Sequence, residues 1–285
     1  MRKFGLITGT GKVIDLTSRM IFLHEPDGLG FEIETEYRAM GQHWSLLNKV
    51  PQQNPITGTI AFIGENPYQQ YYEFIQDITK DGLIFTYTTD DGLNVFKKRV
   101  IATSIGKTEI VQAGYLDCNV SFTPSTPWYK DLRLITSPVE NISAPGFVFD
   151  TGLTWGYKFR STIDMTININ VDSHKESPCA LIIDGPITNP VWRHFVNNQL
   201  VATGRVNCTV LSGDHLSIDN RGDSYEIKVY NEDNTTVVQD AYQLSDFTTD
   251  RFIKLQNGQN LIHVSGDTAT LVPIRLEANI YYESV

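Results

Sequence analysis

The stretch TGTIAFIGENPYQQYYEFIQDITKDGLIFTYTT, residues 57–89, joins two strand patterns through one helical pattern. Residues 57–64 and 83–89 are rich in Ile, Phe, Tyr and Thr, which favour strands. Between them, apolar residues recur every three or four positions, the spacing of an amphipathic helix. The stretch therefore predicts a single helix packed across a sheet.

The predicted helix has recognisable ends. Asn66 is suited to the N-cap, Pro67 to the first helical position, and Gly82 to the stop. The residues at helical spacing are Tyr68, Tyr71, Tyr72, Ile75 and Ile78. An aromatic stripe of this kind could line a ligand site, but stripes at this spacing usually face the core. We interpret these side chains as core.

The rest of the chain shows only strand patterns separated by turns. Residues 124–146 contain four prolines and mark a linker or a crossing between domains. We therefore predict a mainly β protein with two domains. Residues 1–137 would form a β-sandwich or barrel-like domain with one α-helix, and residues 138–285 a C-terminal β-sandwich or jelly roll.

Composition excludes several classes of function. The 285 residues carry a formal net charge of −10, which disfavours binding to nucleic acid or to an anionic membrane surface. No apolar run approaches the ~20 residues of a membrane span, and we expect no standard export signal. The three cysteines are widely spaced and form no CxxC pair, which indicates reduced, buried thiols rather than a disulfide scaffold or a zinc site.

No motif indicates catalysis. The segment TGTGK, residues 8–12, lacks the first glycine and the final Ser or Thr of a phosphate-binding P-loop. The six histidines are scattered without metal-ligand spacing, and no G-x-S-x-G sequence is present. A glycan-cleaving enzyme would need two facing carboxylates, which spacing alone does not reveal. We therefore expect no enzymatic activity, no metal and no cofactor.

The C-terminal half carries two candidate sites. Trp155, Trp192 and Tyr230 could form an aromatic platform on which a sugar ring stacks, although a Trp in a sandwich is more often core. The segment FIKLQNGQNLIHVSGD, residues 252–267, predicts a hairpin closed by a two-residue turn at Asn257-Gly258. We interpret the tip of that hairpin as structural rather than as a binding site.

The order of features resembles a known family. The strand-then-helix block of residues 57–78 is followed by FKKRVIATSIGKTEI, residues 96–110, and GYLDCNVSFTPSTPWYK, residues 114–130. This half resembles the distal tail protein (Dit) of long-tailed siphophages of Gram-positive bacteria. SGDHLSIDN, residues 212–220, and GPITNPVWRHF, residues 185–195, resemble parts of the galectin-like or carbohydrate-module-like sandwich of the same family.

The resemblance implies a structural protein of the virion. Proteins of this family form a hexameric ring at the tip of the tail, through a tail-tube-like N-terminal domain. The implied partners are copies of the chain itself, the major tail tube protein, the tail-tip hub protein and receptor-binding or other baseplate proteins. The chain would be made in the cytoplasm of the bacterial host and located at the tail tip. The alternative function is a carbohydrate-binding adhesin that recognises cell-wall glycan.

A candidate contact between subunits lies in EYRAMGQHWSLLNKVPQQNP, residues 36–55. This turn-rich stretch carries Met40, Trp44, Leu46 and Leu47, which would reduce solubility if they stayed exposed in a monomer. The stretch is either an arm that lies on a neighbouring subunit or a loop that folds over its own core. The sequence leaves both possibilities open.

Overall fold

The computed structural model describes residues 2–52, 54–89, 92, 94–109, 114–136, 165–222, 225–267 and 272–285. The chain divides into two compact units, one made of Met1–Lys130 with Tyr281–Val285 and the other of Asp131–Ile280. We call them the N-terminal and C-terminal units. The predicted boundary between residues 137 and 138 lies outside the described residues.

The described part of the N-terminal unit contains one helix and ten strands, the last of which continues into the C-terminal unit. They are β1 (Lys3–Ile7), β2 (Val13–Asp15), β3 (Ile21–Asp27), β4 (Glu32–Met40), β5 (His43–Gln52), β6 (Ile56–Ile63), α1 (Pro67–Ile78), β7 (Ile84–Thr88), β8 (Val95–Lys107), β9 (Tyr115–Pro124) and β10 (Trp128–Thr136).

Strand β8 connects two antiparallel ladders of this unit. Its first part pairs with β7, which continues through β1 to β2. Its second part pairs with β9, which continues through β6 to β3. The register of β8 against β9 shifts between Ala102 and Ser104, and such a bulge bends a strand. The described strands do not close into a barrel.

Helix α1 has the predicted start and packs against β6 and β9. The Asn66 side chain accepts a hydrogen bond from the backbone N–H of Gln69 at 3.3 Å, and Pro67 occupies the first turn. The buried face consists of Pro67, Tyr71, Phe74 and Ile78. Phe74 lies 5.4 Å from the ring of Phe62 on β6. The interpretation of the whole aromatic stripe as core is wrong for Tyr72, which is exposed.

The core of the N-terminal unit contains a buried cation. Lys98 is only 1% exposed, and its Nζ lies 5.0 Å from the centre of the Trp128 ring. Burial lowers the pKa of Lys98 to about 8. The Trp128 indole N–H donates to the carbonyl of Leu29 at 3.2 Å, which fixes the ring beneath the ammonium group. Lys98 is therefore a charged group that folding removes from water.

The described part of the C-terminal unit contains strands and one short 3₁₀ helix, η1 (Tyr242–Leu244). The strands are β11 (Met165–Val171), β12 (Ser177–Asp184), β13 (Ile187–Thr188), β14 (Val191–Val196), β15 (Gln199–Arg205), β16 (Thr209–Val210), β17 (His215–Asp219), β18 (Glu226–Tyr230), β19 (Val237–Asp240), β20 (Lys254–Leu255), β21 (Gly258–Ser265) and β22 (Ile274–Tyr282).

Two antiparallel sheets make up most of this unit. One has the order β19-β18-β17-β12-β22, and the other has the order β11-β21-β14-β15. Alternate residues are buried along β17, β18, β21 and β22, so each sheet has one buried face. This burial pattern is typical of a β-sandwich.

The predicted hairpin at residues 252–267 is wrong. β20 pairs with β12, whereas β21 pairs with β11 and β14, so Asn257-Gly258 connects two different sheets. The buried side chain of Asn260 holds this connection: it accepts from the N–H of Gln256 and donates to the carbonyls of Gln256 and Gly258 at 3.1, 2.7 and 2.9 Å. The Asn260 side chain thus supplies hydrogen bonds to backbone N–H and C=O groups that would pair with each other in a hairpin.

The prediction of a mainly β protein with one α-helix is confirmed for the described residues. The galectin-like or carbohydrate-module-like character of the C-terminal sandwich stays a prediction.

Candidate interaction surface

A two-stranded ribbon is the most exposed element of the N-terminal unit. Strands β4 and β5 pair with each other and, within the described residues, with no further strand. They extend from β3 and β6, which pair with each other inside the unit. Eight steps along β4 span about 27 Å at about 3.4 Å per residue. We call residues 32–52 the ribbon and residues 37–49 its distal half.

The distal half has an apolar face. Tyr37 lies opposite Leu46 and Ala39 lies opposite Trp44, and directly paired residues share one face of a sheet. Trp44 is 73% exposed, Tyr37 53% and Leu46 49%. A monomer therefore presents two aromatic rings and a leucine to water on one side of the ribbon.

The four predicted contact residues do not all share this face. Met40 lies opposite His43, the residue next to Trp44. Because successive side chains of a strand point to opposite faces, Met40 projects from the face opposite to Trp44. Leu47 has no directly opposite residue, because the ladder pairs Asn48 with Glu36 and Leu46 with Tyr37 and shifts its register between them. All four side chains are exposed, and none of them covers the core of its own unit. Sequence reasoning missed Tyr37, although the two-residue period of a hairpin would have placed it beside Leu46.

Charge divides the ribbon into two parts. Glu32, Glu34 and Glu36 lie at its base, whereas the distal half contains Arg38 and Lys49 and no carboxylate. The distal half is therefore cationic and apolar in a chain whose net charge is −10. Tyr, Trp and Arg are also the residues that most often dominate the energy of protein interfaces. These properties are suited to contact with an acidic protein surface that also has apolar pockets for the exposed rings and Leu46.

The proposed sugar platform is not supported by the placement of its residues. Trp192 is fully buried, and its indole N–H donates to the Arg251 carbonyl at 2.8 Å, so neither ring face is open to a sugar. Tyr230 stacks on His215 with ring centres 5.7 Å apart. Trp155 lies outside the described residues. The interpretation of Trp192 as a stacking residue is therefore wrong, because that ring fills the core.

A small polar cavity of about 110 Å³ lies beside the buried His194. His194 Nε2 lies 3.0 Å from the Asn260 side-chain oxygen, and Nδ1 is buried without a hydrogen-bond partner. Burial lowers the pKa of His194, although the bond to Asn260 opposes this shift. Glu176, Asp250 and Lys254 also line the cavity. The cavity is polar and has room for a few water molecules.

Within the described ranges, no three His, Cys, Asp or Glu side chains are grouped closely enough to hold a metal ion. No helix in that part of the chain has the length and hydropathy to span a membrane.

Comparison with known proteins identifies the N-terminal part. Residues 3–125 match the family model of the distal tail protein, N-terminal domain. A search of curated proteins gives no match. One chain of the activated phage P2 baseplate with Ca is similar over 100% of both chains, with a TM-score of 0.62 and 16% identity.

A second similar structure is the SPP1 Dit (gp 19.1) protein, described as a paradigm of the hub adsorption apparatus in phages that infect Gram-positive bacteria. The similarity covers 96% of this chain and 98% of that one, with a TM-score of 0.60 and 10% identity. At these identities the likeness establishes the fold. Residues 3–125 form a domain of the distal tail protein (Dit) N-terminal family, and the fold of the chain is similar to those of these two phage proteins.

Proposed function

We propose that the chain is a structural component of the virion that assembles with copies of itself into a closed ring of six at the tail tip. The ring joins the tail tube to the tail-tip hub and to receptor-binding or other baseplate proteins. The role of the chain in this ring is mechanical rather than enzymatic. The distal tail protein domain at residues 3–125 and the fold shared with a baseplate chain and a hub protein support this proposal.

The observation that carries the proposal is the ribbon. An isolated two-stranded hairpin is marginally stable in water, and its outer edges are open to further pairing. A partner that covered the exposed apolar surface of Tyr37, Trp44 and Leu46 would gain about 25 cal/mol for each Å² removed from water. A neighbouring copy of the chain is the natural partner, because oligomers of identical chains close by rotation through repeated contacts.

Replacing ribbon residues tests this proposal. The variant Trp44→Ser/Leu46→Ser/Leu47→Ser should keep a native circular dichroism spectrum but lose assembly, measured by size-exclusion chromatography with light scattering. A matched control is Ile135→Ser/Leu211→Ser/Val238→Ser, which removes three exposed apolar residues of the C-terminal unit. The control should assemble like the parent. Assembly of the ribbon variant at parental concentration would refute the role of the ribbon.

The alternative, a carbohydrate-binding adhesin, has less support. The candidate aromatic platform cannot include Trp192, because that ring is buried, and no further observation among the described residues favours a glycan site. Binding of the C-terminal sandwich to cell-wall glycan therefore stays a prediction from the sequence.

A further inference from the structure

A groove in the N-terminal unit has the properties that the distal half of the ribbon would need in a partner. It has a volume of about 290 Å³ and lies between the segment Lys12–Ile21 and helix α1. Its rim includes Val13, which is 70% exposed, and Met20, which is 57% exposed. This volume is near the lower limit of ordinary ligand pockets, so the groove can receive one or two large side chains rather than a whole strand.

The groove contains a hydrogen-bond acceptor without a donor. Gln70, on α1, donates through Nε2 to the Ile63 carbonyl at 3.4 Å, while its Oε1 is buried and has no hydrogen-bond partner. A buried acceptor left unpaired costs about 1–3 kcal/mol. Recovering that cost requires the Gln70 amide to rotate toward the groove, where an N–H group of a partner can reach it, and the distal half of the ribbon carries N–H donors on Arg38, His43 and Trp44.

Charge also matches between the two surfaces. Asp15, Glu73 and Asp77 line the groove together with one cation, Lys12, which gives three carboxylates against one ammonium group and a formal charge of −2. Asp77 pairs with Lys12 Nζ at 2.5 Å and also with Lys80 Nζ at 3.8 Å, so Asp15 and Glu73 are the carboxylates that remain for a partner. The distal half of the ribbon contains two permanent cations and no carboxylate.

From these three features we propose that the distal half of the ribbon docks into this groove on a neighbouring copy of the chain. This rests on the proposed ring and names the surface that receives the ribbon. Trp44 and Val13 are both largely exposed within one chain, so the ribbon does not fill its own groove. Because ribbon and groove are different surfaces, the contact runs head to tail, which is the type of contact that closes rings.

Cross-linking between copies tests the proposal. A Gln42→Cys chain, changed at the exposed turn of the ribbon so that Trp44 stays in place, and a Met20→Cys chain, carrying different affinity tags, are mixed and treated with a short bismaleimide. The three native cysteines are buried and should not react. The expected product is one cross-linked species that contains both tags. The control replaces Met20→Cys with Leu211→Cys, another exposed position but in the C-terminal unit, and should give no product.

The outcomes separate this inference from the proposed function. If the mixed chains assemble but give no more product than the Leu211→Cys control, the ribbon docks elsewhere, and the inference fails while the ring proposal stands. If no assembly and no product form, both fail. A product shared by the control would show non-specific collision and would also overturn the inference.

A charge swap gives a second readout. Arg38→Glu or Glu73→Arg, introduced into both cysteine chains, should lower the yield of the cross-linked product about two- to fivefold, the range for exposed ion pairs. A Gln42→Cys chain with Arg38→Glu, mixed with a Met20→Cys chain with Glu73→Arg, should restore the yield. Failure of this combination to recover yield would contradict the match of charge.

Discussion

Replacing the buried Lys98 with Met should stabilise the N-terminal unit at neutral pH. Lys98 is 1% exposed, and burial lowers its pKa from 10.5 to about 8. Met has a similar length and no charge, so it can fill the same space beside Trp128 without the cost of removing an ammonium group from water. The structure therefore predicts that an uncharged side chain is better tolerated here than the natural one.

The size and the pH dependence of this effect follow from the lowered pKa. The shift corresponds to about 3 kcal/mol at pH 7, of which the cation–π contact with Trp128 can offset up to about 2 kcal/mol. We expect Lys98→Met to raise the free energy of unfolding by about 1–3 kcal/mol at pH 7. Between pH 8 and 10.5 the unfolded chain binds more protons at this position, so the parent gains stability as pH rises and the gap to the variant closes.

Urea denaturation of the full-length parent and variant at pH 7, 9 and 10.5, followed by circular dichroism and tryptophan fluorescence, measures this gap. The exposed Lys3→Met is the control and should change the free energy of unfolding by less than about 0.5 kcal/mol at each pH. A Lys98→Met protein that is less stable than the parent at pH 7, or a gap independent of pH, would refute the reasoning.

Three further predictions concern the two units. Phe74→Ala should cost about 3–5 kcal/mol in urea denaturation, because its ring is buried, whereas Tyr72→Ala on the same helix should cost less than about 1.5 kcal/mol; equal losses would contradict the assignment of the helix face. Gly204→Ala should lower the melting temperature, because a Cβ there would lie 2.2 Å from the Trp192 ring, and an unchanged melting temperature would show that the ring can move. Acidification below pH 6.5 should destabilise the parent more than a His194→Gln variant. Burial lowers the pKa of His194, so the unfolded chain binds more protons there and the free energy of unfolding falls as the pH drops below 6.5. Parallel pH profiles of the two proteins would contradict this prediction.

Local patterns were sufficient to predict much of the fold. The cap at Asn66, the proline at position 67 and the spacing of Tyr71 and Ile78 define the helix, and the structure places them as expected. The predominance of strands was also readable from β-branched and aromatic residues. These signals succeed because they depend on a few neighbouring residues and on the period of one element.

Long-range pairing was not accessible in the same way. The sequence around Asn257-Gly258 carries a strong hairpin signal, but β20 finds its partner on β12, far away in the chain, and Asn260 satisfies the connection between sheets. The buried indole N–H of Trp192 likewise donates its hydrogen bond to a residue far away in the sequence, through the Arg251 carbonyl. No local pattern distinguishes a core Trp from one on an open face.

The candidate surface was predicted in part. An apolar, turn-rich stretch between two strands indicated Trp44 and Leu46, but treating it as an irregular arm left Tyr37 out and placed Met40 in the same set. The ladder of the ribbon, with its register shift, decides which side chains share a face. The groove beside α1 could not be foreseen, because it combines a loop, a strand and a helix face that only folding brings together.

The most direct test of the central claim is the mass and symmetry of the purified chain, measured by light scattering and negative-stain electron microscopy over a range of concentrations. Six copies of the 32.1 kDa chain have a mass of about 193 kDa, and two rings stacked face to face would double that value. The account predicts six-fold rings that disappear in the Trp44→Ser/Leu46→Ser/Leu47→Ser variant. A species of 32.1 kDa at every concentration, or rings that persist in the variant, would contradict it.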